Sequence, residues 1–96
     1  MKFPYLKLVY RQHAIQRMFN RKIAEEEVIK TLQDGTIIES YPKDQPYPSY
    51  LFLGWPENRP IHVVAADNKE DRETIVITAY EPAPSLWNQK FDKRRQ

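Results

Sequence analysis

The chain has 96 residues, no cysteine, two histidines and a formal net charge of +2. One domain spanning residues 1–96 is expected at this length, and the absent thiols exclude a disulfide scaffold, a cysteine nucleophile and a thiolate zinc site. No apolar run approaches the roughly 20 residues needed to cross a bilayer, and the N-terminus lacks a signal-like apolar stretch, so a cytoplasmic protein is expected.

The first strand is expected over residues 5–10, where Leu6, Leu8 and Val9 supply a short apolar, β-prone run. A helix follows over residues 11–20. Its spacing places Ile15, Met18 and Phe19 on the buried face, with His13, Gln16 and Arg17 opposite. A second helix is expected over residues 25–34. Ala24 stands where a capping side chain would be, so only half of a capping box is present, through Glu27. An Ile23–Val28 staple and three glutamates support that helix start. Val28, Ile29 and Leu32 form its expected buried stripe, and Gly35 is placed to end it.

Beyond Gly35 the apolar period changes to two. Strands are expected over residues 36–41, 50–55, 61–67 and 74–80, separated by proline-rich or polar turns. Pro82 and Pro84 end the last strand. A tail follows in which Trp87 and Phe91, four residues apart, would anchor a terminal helical turn. The order β-α-α-β-β-β-β predicts an α+β fold, a small antiparallel sheet with two helices on one face.

The small net charge conceals an uneven distribution. Residues 1–22 carry six basic residues and no acid, residues 23–85 carry five basic and twelve acidic, and residues 86–96 carry four basic and one acidic. Two basic ends around an acidic middle point either to a polyanionic partner or to ordinary solvated faces.

Three groups of residues carry candidate chemistry. In the last two strands, alternation sets Ile75, Ile77 and Ala79 against the helices and Thr78 and Tyr80 on the other face. Antiparallel pairing would then bring His62 beside Tyr80, as a reactive pair or as plain cross-strand packing. On the first helix, His13 and Arg17 stack at i, i+4, with Arg21 about one turn further. That arrangement fits phosphate binding with proton transfer, or an outer helix face in solvent. In the tail, Lys90, Lys93, Arg94 and Arg95 interleave with aromatic residues, as in surfaces that bind single-stranded nucleic acid. Two histidines without cysteine make a poor metal set, no glycine-rich phosphate loop or serine elbow is present, and no metal or cofactor is expected.

Several fragments then form one pattern. His13-Ala14-x-x-Arg17-Met18-x-x-Arg21-x-Ile23, Val28-x-x-x-Leu32-x-x-Gly35, Arg59-Pro60-Ile61-His62-Val63-Val64 and Ile77-Thr78-Ala79-Tyr80-Glu81-Pro82 together resemble the bacterial DUF4258 family, over about residues 10–87. That family is similar to RelE/ParE-like toxins. The resemblance implies a RelE-like fold and a type II toxin acting as a metal-independent endoribonuclease. Its partners would be RNA, free or on the ribosome, and a cognate antitoxin with a zinc finger and a helix-turn-helix.

In the expected chemistry His62 acts as a general base or acid with His13 as its counterpart, Arg17 clamps the phosphate, and Tyr80 orients the substrate or stacks on a base. Arg21, Arg59 and the basic tail residues would hold RNA. A non-enzymatic nucleic-acid or protein-binding module, and a ParE-like gyrase poison, are the alternatives.

Overall fold

The computed structural model describes residues 7–96. The elements are β1 (Lys7–Tyr10), α1 (Gln12–Asn20), α2 (Glu25–Asp34), β2 (Thr36–Tyr41), β3 (Ser49–Gly54), β4 (Ile61–Asn68) and β5 (Glu73–Tyr80). The expected strand at residues 5–10 corresponds to β1 from Lys7 on, and its first two residues lie outside the described part.

The five strands form one sheet in the order β1-β5-β4-β3-β2. β2 to β5 form an antiparallel meander, but β1 pairs parallel to β5, so the sheet is mixed and not antiparallel throughout. The reason is the edge that β1 joins. Three reversals make β5 run opposite to β2, and β1 runs with β5. Beside β2 it would have completed an antiparallel sheet, but the helical crossover places it on the far edge.

Both helices cover one face. Ala14 and Met18 of α1 and Val28 and Leu32 of α2 share a core with Ile23, Phe52, Ile61, Val63, Ala65, Val76 and Ala79. On α1 the buried seam is narrower than the sequence predicts. Ala14 and Met18 are buried, whereas Ile15 and Phe19 are 57% and 81% exposed. This short helix packs chiefly on β5, and the small Ala14 sits at the contact. On α2, Ile29 is only half-buried, and Glu27 and Thr31 take its place beside Val28 and Leu32.

A bulge resolves a second difference. Val64 pairs with Thr78 and Ala65 with Val76, leaving Ile77 as the extra residue in β5. The phase of β5 therefore shifts by one, which brings Val76 and Ala79 together under the helices and leaves Ile75 and Ile77 half-buried. Thr78 and Tyr80 face the other side, opposite Val64 and His62.

At the start of α2, the Ala24 N–H donates to Glu27 Oε1 at 3.0 Å, the half of the capping box that the sequence retains. Gly35 closes the helix with φ −78°, ψ 179°, so it is not needed for a left-handed conformation. It is needed for space, because a Cβ there would lie 2.3 Å from the Thr31 carbonyl oxygen and 2.5 Å from that of Leu53.

Candidate functional site

The candidate residues of the last two strands lie on the face of the sheet opposite the helices. His62 of β4 and Tyr80 of β5 are direct register partners there. The chain beyond Tyr80 folds back over them. It forms no helical turn through Trp87 and Phe91, as the spacing predicted. Instead Trp87 and Arg94 make an antiparallel bridge that closes a loop. Asn88 organises that loop, since its Oδ1 accepts from the Asp92 N–H at 3.1 Å and its Nδ2 donates to Asp92 Oδ1 at 2.8 Å. Phe91 at its tip has φ 58°, a left-handed conformation that costs a non-glycine residue about 1 kcal/mol or more.

That tip points its carbonyl at the imidazole. His62 Nε2 donates to the Phe91 carbonyl oxygen at 2.8 Å. A carbonyl only accepts, so the proton sits on Nε2. Nδ1 is then an acceptor for the Tyr80 O–H, 3.2 Å away. The Trp87 ring meets the imidazole edge-on, with centroids 4.5 Å apart at 90°. His62 is thereby fully buried. Burial lowers its pKa below the ordinary 6.5 and nearby Arg94 adds to that, against opposing effects of the Phe91 hydrogen bond and of Glu39. The imidazole is neutral at pH 7.

Tyr80 opens onto a cleft of about 570 Å³ that it lines with Arg21, Glu81, Leu86, Trp87 and Arg94. Burial raises the pKa of its phenol. Arg21 reaches in from the end of α1, where its Nη1 donates to the Ala79 carbonyl at 2.8 Å. Arg94 lies over the Trp87 ring, 4.6 Å from its centroid, and donates through Nε and Nη2 to Glu39 at 3.2 and 3.3 Å. Glu39 also accepts from the Tyr41 hydroxyl. Burial alone would raise the Glu39 pKa, but the hydrogen bonds from Tyr41 and Arg94 outweigh it and hold the carboxyl below its ordinary value.

The structure thus assembles His62, Tyr80, Arg21 and Arg94. The other candidates lie elsewhere. His13 and Arg17 are exposed on α1 and do not line the cleft. The Arg59 guanidinium is engaged within the protein. It donates to Glu27 Oε2 at 3.0 Å and Oε1 at 2.8 Å, to the Lys22 carbonyl at 2.9 Å and to Glu81 at 3.2 Å. Lys90, Lys93 and Arg95 border a separate shallow pocket on the outside of the tail, and Arg95 Nε donates to the Pro84 carbonyl at 2.8 Å. Glu39 was not anticipated. Its signal is an acid inside a strand, two residues from a tyrosine on the same strand. Among the described residues no cluster of three or more metal-ligating side chains occurs, and no helix is long and apolar enough to cross a membrane.

The residues of the pattern in Sequence analysis now have places. His62 and Tyr80 pair across β4 and β5, and Arg21, at the end of α1, bonds the Ala79 carbonyl and lines the cleft with Tyr80. The family model described as a domain of unknown function, DUF4258, matches residues 10–81. The chain belongs to the DUF4258 family. No curated protein and no solved structure matches it. The DUF4258 segment supplies His62, Tyr80 and Arg21. Trp87, the Phe91 carbonyl and Arg94 lie beyond the matched residues.

Proposed function

We propose that this DUF4258 protein is an RNA-cleaving enzyme of the RelE-like toxin type, acting at the cleft between Arg21 and Arg94. The observation that carries the reading is the Tyr80 hydroxyl, bonded to a buried neutral imidazole, in a cleft that Arg21 and Arg94 also line. Guanidinium forks match phosphate oxygens, and the cleft presents two beside Glu81; a phosphate there would share Arg94 with Glu39, to which it already donates.

In the proposed reaction the ribose 2′-oxygen attacks the adjacent phosphorus and the P–O5′ bond breaks. The 2′-hydroxyl proton passes to the Tyr80 oxygen as the Tyr80 proton passes to His62 Nδ1. Water entering the open cleft protonates the leaving 5′-oxygen, and the hydroxide so formed takes the proton back from His62 Nδ1 through the Tyr80 oxygen, which restores the neutral imidazole. The products are a 2′,3′-cyclic phosphate and a 5′-hydroxyl. Arg21 and Arg94 stabilise charge on the phosphorane. Tyr80 is the group that touches substrate, and His62 acts through it. His13 and Arg17, at successive helical turns before Arg21, would contact the strand outside the cleft. The resemblance to toxins extends the proposal to a cytoplasmic setting and to a cognate antitoxin with a zinc finger and a helix-turn-helix.

The complete burial of His62 favours a second reading, in which the cleft binds RNA without cutting it. Incubation of purified protein with RNA, resolved on a denaturing gel, separates the two. Cleavage with cyclic-phosphate ends is expected, reduced about 10²–10⁴-fold by Tyr80→Phe. Wild-type rates in both Tyr80→Phe and Arg21→Ala would overturn the site. Intact RNA with strongly salt-dependent binding would establish the binding module. Intact RNA with inhibited DNA supercoiling would establish a gyrase poison.

A further inference from the structure

We propose that Trp55 is a base-stacking subsite for single-stranded RNA whose phosphate occupies the Arg21–Arg94 cleft. This rests on the RNA reading above and specifies the substrate as an unpaired strand extending beyond the cleft.

The two tryptophans have opposite environments. Trp87 is 2% exposed against His62, whereas Trp55 is 51% exposed immediately after β3. Trp55 is nevertheless held in place. A Cβ on the preceding Gly54 would lie 2.7 Å from Thr31 Oγ1, so the backbone there is packed tightly on α2. Pro56 follows it, with φ fixed by its ring. The Phe91 ring meets the indole edge-on at 5.9 Å and 65°. One side of the ring is therefore supported and much of the rest is open, so stacking a base costs little ordering entropy.

Trp55 is also connected to the reactive pair. Phe91 touches Trp55 with its ring and His62 with its carbonyl. Leu53 pairs with His62, and His62 pairs with Tyr80. Two strand spacings and two residues of extended chain put Trp55 roughly 12 Å from Tyr80 along the sheet. About three to four stacked nucleotides cover that distance.

The surroundings mix charges, with Asp34 in the cleft beside Trp55 and Glu57 near Lys30, so the cations offered to a phosphate backbone are lysines set among acids. Lys30 lines a second cleft of about 470 Å³ with Trp55, and its ion pair with Glu57 is long, at 3.9 Å between two exposed side chains. Lys90 and Lys93 flank the Phe91 segment. An aromatic face beside lysines takes an unpaired base of any identity, whereas a duplex keeps its bases stacked within itself.

The test uses a fluorescein-labelled 2′-O-methyl oligoribonucleotide of about eight residues, a length within the usual range of single-strand sites. It lacks the attacking hydroxyl and stays intact. Anisotropy titrations at low ionic strength compare the full-length protein with Trp55→Ala, Trp55→Phe and Arg21→Ala. Trp55→Ala is expected to weaken binding about 5- to 150-fold with no change in salt slope, and Trp55→Phe to recover most of it. Arg21→Ala should weaken binding and flatten the salt dependence. Indole fluorescence should be quenched by the oligonucleotide in wild type and not in Trp55→Phe. If wild type binds and Arg21→Ala weakens it while Trp55→Ala does not, the stacking subsite is wrong and the cleft reading stands. If wild type does not bind at all, both fall.

Discussion

Lowering the pH from 8 to 5 should destabilise this protein through His62. In the native state Nε2 already donates to Phe91 and Nδ1 accepts from Tyr80. A second ring proton on Nδ1 would face the Tyr80 hydroxyl, which would have to turn its own proton away. The resulting cation would sit fully buried, near the positive Arg94. The folded pKa is therefore below the ordinary 6.5, and the unfolded chain binds the proton first. Stability is complete above about pH 6.5 and falls as the pH drops from there to the folded pKa, where it levels off. The slope approaches about 1.4 kcal/mol per pH unit while only the unfolded state is protonated. The carboxylates of Glu27 and Glu39 are held below the ordinary 4.5, so their losses come at lower pH and leave this window clear. Urea unfolding at intervals across it, for wild type and His62→Gln, measures the effect. Wild type should lose stability toward pH 5 and the variant should be flatter. Equal pH dependence in the two, or an NMR titration of the His62 ring with a midpoint at or above 6.5, would refute the sealed neutral imidazole. The same titration sets the acid limb of any cleavage profile, because a protonated Nδ1 cannot accept from Tyr80. Activity should persist below the pH at which a solvent-exposed histidine base would fail.

Two further substitutions test the frame around the site. Arg59→Ala leaves the Glu27 carboxylate, whose side chain is 8% exposed, without its two-pronged partner. It also frees the Lys22 carbonyl at the α1–α2 turn. Because Arg59 itself is 30% exposed, the loss should be about 2–3 kcal/mol at pH 7, short of the ~3–5 of a fully buried pair. The difference from wild type should shrink as Glu27 is protonated in acid, and a loss below about 0.5 kcal/mol in urea would contradict the role given to this ion pair. Gly54→Ala would place its Cβ 2.7 Å from Thr31 Oγ1 and 2.9 Å from Thr31 Cα. Displacing helix backbone should cost about 1–3 kcal/mol, and a neutral thermal melt would show that α2 can move away from β3 freely.

Much of this fold can be read from local pattern. The change from a helical to a two-residue period at Gly35, and the turns that follow, locate the strands to within a residue or two. That His62 and Tyr80 lie close is legible because a hairpin counted outward from its tip brings them to the same end, but their direct pairing is set by the bulge at Ile77, since the register at the tip, continued unbroken, would place Ala79 opposite His62. What the pattern does not contain are choices made by distant contacts. Either edge of the meander could have accepted β1 by its apolar pattern, and the ion pair of Lys7 with Glu73 of β5, at 2.9 Å, joins residues too far apart in the chain to be read as a local signal. The outward Ile15 and Phe19 fit an amphipathic helix until α1 meets the sheet through Ala14. Arg59, read from its own segment, is a turn arginine that could as well be a phosphate ligand. Its engagement depends on Glu27, thirty-two residues away.

The tail makes the least legible contribution, and it decides what His62 is. Read from β4 alone, the imidazole is an alternating strand residue on the face away from the helices, open to proton exchange. In the folded chain, residues beyond the DUF4258 match cover it with the Trp87 ring and take its Nε2 proton into the Phe91 carbonyl bond. Arg94 holds that cover by two routes, its face on Trp87 and its nitrogens on Glu39 of β2. The positive charge of the chain's end is therefore not a loose polyelectrolyte. One of its arginines is fixed at the rim of the cleft, and the same segment that supplies this cation removes water from the histidine behind Tyr80. Under the proposed function, charge for a phosphate and a dry, single-tautomer acceptor for a phenol proton would arise from one closure of the tail, so mutations that loosen the tail should affect both together.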